Sequence, residues 1–323
     1  MPNRIRISFL SRLLRRGSSR IRRAQSLGND GAVIAAAQGA FAARRGLKAY
    51  YDDLWDVELQ VFSQWGEDGI LDFLCDSLGI AKPSVIEIGA GDFSECNSRF
   101  LAVNRAASVV AIDARDDLED GVMRSGLAWR TSVHALHRWM TPRNAPDVFS
   151  EAVSLLHVAN PDVLSLDIDG VDYWVAEALD LSGVNIVVVE YNPLFGHRRA
   201  VTVPSAEHFN RSAEHFSWLY YGASLRAWVH LLGKYDLEFV GSNRAGNNAF
   251  FVPRDRRSEI PVTPADHERL DRYVQWNVRE SRDERGRLSY LSGMDRVRVM
   301  ESMWVVDVIN GERVMVADLH QAT

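Results

Sequence analysis

Val85-Ile86-Glu87-Ile88-Gly89-Ala90-Gly91-Asp92-Phe93 holds a short β-branched run that bends through two glycines. Pro83 interrupts the chain just ahead, so the run reads as a strand that starts afresh. Glycines at such a bend allow φ values that a side chain forbids, and they let backbone N–H groups come close to a ligand. Twenty-two residues after Gly91, Asp113 closes the next apolar run, Ser108 to Asp113. A carboxylate there can accept both hydroxyls of a ribose, which points to an adenosine-bearing cofactor.

Outward from this turn, strands and helices alternate. Strands are expected at 85–89, 108–113, 127–133, 163–168, 186–191, 237–241 and 248–253, with helices at 98–106, 147–159, 172–181 and 223–234. The first, second, fourth and fifth strands are almost continuously apolar, as in a parallel sheet covered on both faces. This predicts a doubly wound, Rossmann-like α/β domain. Only Ser242 to Asn247 separate the last two strands, too few for a parallel crossover, so they should form an antiparallel hairpin. Upstream, helices are expected over 31–51 and 63–78; downstream, 265–278 has helical spacing and 296–308 more apolar periodicity. The implied organisation is a basic arm at 1–29, a helical extension at 30–82, the cofactor domain at 83–254 and a packed C-terminal extension at 255–323.

A dinucleotide needs a third small residue where the helix closes over the pyrophosphate; here Ser94 is followed by Glu95, and Asp92 within the loop would repel phosphate. A cofactor carrying a sulfonium and an amino group, S-adenosylmethionine, suits these residues better than NAD. The strings VFSQWGEDGI, VIEIGAGDFSECNS, LSLDIDGVDYWV, VVVEYNPLFG, YYGASLRAWV and GNNAFFV resemble a branch of the FkbM-type S-adenosylmethionine-dependent methyltransferases. The resemblance runs from about Val61 to Phe251, and RESRDERGRLSYLSG at 279–293 is similar to that branch's downstream segment. It implies the class I methyltransferase fold, strand order 3-2-1-4-5-7-6, and O-methylation of a hydroxyl on a polysaccharide, glycolipid or glycosylated natural product. The cofactor positions it implies are Glu87, Gly89, Ala90, Gly91 and Asp113, with Ala114 beside the last. The wider family's central motif reads more like K-I-D-V-E-G; here Asp167 precedes Ile168-Asp169-Gly170.

Asp167 and Asp169 fall at the end of the fourth strand, Glu190 and Asn192 at the end of the fifth. Ligands of open parallel sheets bind outside these carboxyl ends. Residues two apart on a strand face the same way, so the four oxygens can converge as ligands for Mg²⁺ or Mn²⁺. An ion there would lower the pKa of an acceptor hydroxyl. A metal-free acid/base site reads equally well, and Asp172 reads equally as a helix cap. Candidate bases are Asp169, Glu190 and His197. Trp218 and Tyr220-Tyr221 read as sugar platforms or as lid packing, and Asn247 and Asn248 as hairpin turn residues, the favoured reading, or as polar contacts reaching into the cleft. Gln64, Glu67 and Asp68 read as contacts of the cofactor's methionine end or as ordinary helix-start chemistry.

The 323 residues are 46% hydrophobic and 25% charged, an ordinary globular composition that excludes disorder of the whole chain. Eight arginines and no acid occupy the first 29 residues, while the net charge is −6, so the body is strongly acidic and a nucleic-acid groove is not expected. Ile5, Phe9 and Leu13 recur in the arm at helical spacing, which suits peripheral contact with an anionic membrane, although a solvated tail explains the arginines as well. Two cysteines, Cys75 and Cys96, are too few for a stapled secreted scaffold, so a cytoplasmic setting is expected. Two other functions fit the same residues: an NAD(P)-dependent oxidoreductase, and a non-catalytic scaffold that keeps the fold.

Overall fold

The computed structural model describes residues 50–274 and 280–320, together with Ala36 and Gly39. The basic arm, most of the helix expected over 31–51 and residues 275–279 lie outside these residues. The chain divides into two units, 1–47 and 48–323, and the second carries both sheets.

Helix α1 (Glu67–Ser77) leads into strand β1 (Ser84–Ile88), and α2 (Ser98–Arg105) into β2 (Ser108–Asp113). Helix α3 (Leu118–Ser125), β3 (Val133–His137), α4 (Ala145–Leu156), β4 (Val163–Leu166), α5 (Asp172–Glu177) and β5 (Ile186–Glu190) continue the alternation. A long connection then carries the two-residue strand β6 (Val201–Thr202) and the single-turn helix α6 (Arg211–Glu214). Helix α7 (Leu225–Gly233), β7 (Leu237–Ser242) and β8 (Asn248–Pro253) complete the main sheet. Helix α8 (Met294–Val299), β9 (Trp304–Asp307) and β10 (Arg313–Met315) come last.

The seven-stranded sheet has the order β3-β2-β1-β4-β5-β8-β7. Its first five strands in the chain run parallel, and β8 is antiparallel to both β5 and β7. Numbered within this sheet alone, the order is 3-2-1-4-5-7-6, the doubly wound arrangement with a terminal hairpin that was expected. Strands β1, β4 and β5 are buried at every position, which is why their sequences run apolar without alternation. Trp228, Phe239 and Phe251 are among the large side chains buried in the core.

Three expectations are corrected. Residues 127–129 form a 3₁₀ turn, and the third strand starts at Val133, because Gly126 ends α3 in a left-handed conformation and the chain turns once more before extending. As an edge strand, β3 buries only Leu136, so its sequence carries little hydrophobic signal. Over 265–274, the described part of the expected helix, the chain forms a single 3₁₀ turn, Leu270–Tyr273. The apolar periodicity of 296–308 is split between α8 and β9, and β9 pairs with β10 and β6 in a second, antiparallel sheet. Among the described residues no helix is long and apolar enough to cross a membrane.

Candidate active site

A cleft of about 820 Å³ opens at the carboxyl ends of β1, β2, β4 and β5. Gly89 and Ala90 donate their N–H groups to the carbonyl of Ile112, at 2.8 and 3.2 Å, which folds the glycine turn onto β2. Gly89 has φ +95°, and a Cβ there would stand 1.5 Å from the carbonyl oxygen of Asp167. Gly91 also has a positive φ, +59°, but its Cβ position is open. Its N–H donates to Asp113 Oδ2 at 2.7 Å, while Arg115 N–H donates to Oδ1 at 2.9 Å. Each oxygen of Asp113 keeps a lone pair for a ligand hydroxyl.

The other expected cofactor residues separate. Gly89, Gly91, Asp113, Ala114 and Glu87 line the cleft. Ala90 is fully buried and does not line it. Glu87, also buried, accepts the N–H groups of Asn97 at 2.7 Å and Ser98 at 2.9 Å, so its carboxylate occupies the N-terminus of α2. Burial raises its pKa against those hydrogen bonds. Asp92, read from sequence as the residue that would repel a phosphate, is outside the cleft lining. It accepts from Ser94 N–H at 3.0 Å and lies 3.7 Å from Arg124.

Three of the four expected metal ligands come together: Asp167, Asp169 and Glu190 each offer an oxygen, all within 4.8 Å of one another. The pKa values of Asp167 and Glu190 are pushed well up, first by burial and then by neighbouring carboxylates. Glu190 Oε2 is buried without a partner. Asp169 has a left-handed backbone, φ +55°, and its carboxylate is paired with Arg211. Asp172 holds this loop from beneath, accepting Ile168 N–H at 2.7 Å and Gly170 N–H at 2.8 Å; burial lifts its pKa to about 6.

Asn192 is not a ligand in this arrangement. Its amide donates to the carbonyls of Leu219 and Tyr221, at 2.9 and 3.0 Å, and its oxygen accepts Leu194 N–H at 3.0 Å. Those bonds pin the 219–221 backbone beside the cleft. His197 does not line the cleft either; its carbonyl accepts Arg226 Nε–H at 2.7 Å. The loop after β5 turns away at Gly196, whose φ is +73°.

Of the aromatic residues, Trp218 and Tyr221 line the cleft, whereas Tyr220 donates its hydroxyl to the carbonyl of Trp304. Arg211, which sequence reading missed, lies 5.8 Å from the Trp218 ring centre and 5.5 Å from that of Tyr221. The guanidinium of Arg282 lies 4.4 Å from the Trp218 centre and donates to Glu280, another lining residue, at 2.8 Å. No local pattern marks Arg211 or Glu280, because long loops bring them to the site.

No protein-family model matches the chain, and no curated protein matches it. Among solved structures, the chain is similar to the N-terminal domain of EvdMO1 with SAH bound, at 10% identity and TM-score 0.37, over 67% of this chain and 94% of that one. It is similar to cofactor-bound Rv0187 from MTB at 17% identity and TM-score 0.35, over 69% and 89% of the two chains. The O-methyltransferase TomG from Streptomyces achromogenes, in complex with SAM, is 18% identical with TM-score 0.34, over 61% and 80%. TM-scores this low leave the functional reading to the geometry of this chain's own site.

Proposed function

We propose that the chain is an S-adenosylmethionine-dependent O-methyltransferase of the FkbM type, acting on a sugar hydroxyl of a polysaccharide, glycolipid or glycosylated natural product. The observation that carries this reading is Glu87 on the α2 N-terminus. A dinucleotide places its pyrophosphate on the N–H groups at such a helix start. Here a buried carboxylate already accepts two of them and would repel a phosphate. A cofactor without phosphate and with a positive centre fits the same turn, because carboxylates outnumber guanidinium groups in the cleft lining. The fit to the nucleoside rests on the open side of Gly91 and the remaining lone pairs of Asp113.

When bound, the cofactor supplies an electrophilic methyl group. The chain's task is to align the acceptor oxygen and remove its proton. Asp167 and Glu190, whose close approach favours sharing one proton, and Asp169, held opposite Arg211, are the groups able to take it. Trp218 and Tyr221 beside these carboxylates suit a saccharide, whose apolar ring face packs on aromatic rings while its hydroxyls donate to carboxylates. Two free, buried cysteines suit a cytoplasmic setting.

A second reading adds a divalent ion. The three carboxylate oxygens within 4.8 Å favour it, being a hard-oxygen set of the kind Mg²⁺ or Mn²⁺ takes. Turnover that survives thorough chelation with EDTA removes the ion from the mechanism.

Calorimetry with SAH and NADH tests the cofactor: SAH should bind and NADH should not, and the reverse result overturns the proposal. Mass spectrometry of surface glycans and secondary metabolites, with and without the gene, should reveal a product heavier by one CH₂. If Glu190→Ala and Asp167→Ala chains restore that product in full, the acidic cluster takes no part in the chemistry.

A further inference from the structure

Arg211 stands at the start of α6, and the segment around it is seated on the loop that follows β4. Gly222 N–H donates to the carbonyl of Gly170 at 2.8 Å. The Phe209 ring covers Gly170 so closely that a Cβ there would stand 2.8 Å from Phe209 Cδ1. Asn210 caps α6, its Oδ1 accepting the N–H groups of Ser212 at 3.0 Å and Ala213 at 3.3 Å. The Arg211 side chain thus leaves a fixed backbone position, runs beside the Tyr221 and Trp218 rings and ends on Asp169.

Trp218 is built into the same arrangement. Its φ of +62° is rare for a bulky side chain, and its neighbours hold it there. The carbonyl of Ser217 accepts Arg282 N–H at 3.1 Å, and that of Leu219 accepts the Asn192 amide at 2.9 Å. Among the described residues Asp169 is the hydrogen-bond partner of Arg211, so the guanidinium keeps further N–H groups for a ligand in the cleft it lines. Its charge also attracts Glu190 and Asp167. One cation therefore already serves all three carboxylates, and it holds Asp169, which a divalent ion on this cluster would need.

We infer that the Arg211 guanidinium is the fixed cation of this site, taking the place a divalent ion would fill and donating an N–H to the acceptor oxygen during methyl transfer. The inference rests on the methyltransferase reading above and decides between its metal-free and metal-assisted forms. The acceptor oxygen bonds the methyl carbon, the electron pair of the sulfur–methyl bond stays on sulfur, and the hydroxyl proton passes to the Asp167–Glu190 pair. Glu190 Oε2, buried without a partner, is the oxygen open to it. Negative charge gathers on the acceptor oxygen as the proton leaves, and a guanidinium already in place stabilises that charge without reorganisation. The planar fork of arginine suits the task, because one N–H can stay on Asp169 while another meets the acceptor.

Mn²⁺ alone is the probe of the cation site, titrated into the full chain by calorimetry. Arg211→Ala should bind it at least about tenfold tighter than the wild type, since the charge that repels the ion is gone. Adding Glu190→Ala should abolish that gain, and Arg211→Lys, which keeps the charge, should bind Mn²⁺ as weakly as the wild type. A residue that merely braced the loop would not create an ion site when removed. In cells the methylated product should vanish with Arg211→Ala and return in part with Arg211→Lys. The inference is overturned by wild-type Mn²⁺ binding that Glu190→Ala removes, by equal Mn²⁺ affinity in wild type and Arg211→Ala, or by full product from Arg211→Ala. Failure of the wild-type chain to bind SAH overturns the methyltransferase reading instead, whatever the Mn²⁺ titrations give.

Discussion

Two glycines one residue apart carry different constraints. At Gly89 a positive φ coincides with a carbonyl oxygen 1.5 Å from the Cβ position, so Gly89→Ala must separate β1 from the end of β4. At Gly91 the backbone is left-handed but the surroundings are open, so Gly91→Ala bears only conformational strain, about 1–2 kcal/mol. Urea unfolding should find Gly89→Ala destabilised by clearly more than Gly91→Ala, on the order of 3 kcal/mol or worse. Equal losses would mean that the close approach of β1 to β4 does not matter. For binding, Asp113→Ala should weaken SAH about tenfold or more, since it removes the carboxylate available to the ribose. Calorimetry with SAH that finds no change would separate Asp113 from the cofactor.

Helix starts are where buried carboxylates organise the backbone of this protein. Glu87 caps α2 from a neighbouring strand, and Asp68 gathers the loop ahead of α1. Burial outweighs the three N–H donors at Asp68 and raises its pKa from 3.8 to about 7. Between those values the folded chain retains a proton that the unfolded chain has released. This group's contribution to stability is therefore greatest below the lower value, declines as pH rises through the window, and is level above about 7. Asp172, raised to about 6, acts in the same direction over a narrower window. Asp68→Asn should flatten the decline, so that its urea midpoint changes less between mildly acidic and neutral pH than the wild-type midpoint does. A variant whose pH dependence matches the wild type would remove Asp68 as the source.

At the scale of the whole molecule, the cofactor half of the cleft and its opposite wall have different supports. Glycine turn and Asp113 stand on the central parallel strands, whereas Arg211, Trp218 and Tyr221 stand on the long connection between β5 and α7. That connection leans on the C-terminal segment through the β6–β9 pairing, the Tyr220 hydroxyl on Trp304, and the buried Val305 and Val316. Removing residues 294–323 should lower the thermal midpoint and abolish the methylated product in cells, while SAH binding persists. Loss of SAH binding in a chain that still folds would mean that the C-terminal segment supports the cofactor half as well.

The sequence by itself determined the central architecture. Runs such as IVVVE at β5 are buried on both faces and read as core strands of a sheet covered on both sides, and the short 243–247 connection allows only a hairpin. It also placed Asp167, Asp169 and Glu190 at one sheet edge, through the neighbouring of β4 and β5, but Asp167 and Asp169 lie past the end of β4 and Asp169 has a left-handed backbone, so the expected alternation along a strand is not what brings the three together. Only the tertiary structure decided how each polar group is spent. Glu87, Asp92 and Asn192 look equally available in the sequence, yet one caps a helix, one turns to Ser94 and Arg124, and one pins a distant backbone. Arg211 and Glu280 enter the site from segments 42 and 111 positions beyond Asp169. The reason is physical: strand periodicity and burial are local properties of a chain, whereas a hydrogen-bond partner is chosen among all groups that folding brings within reach.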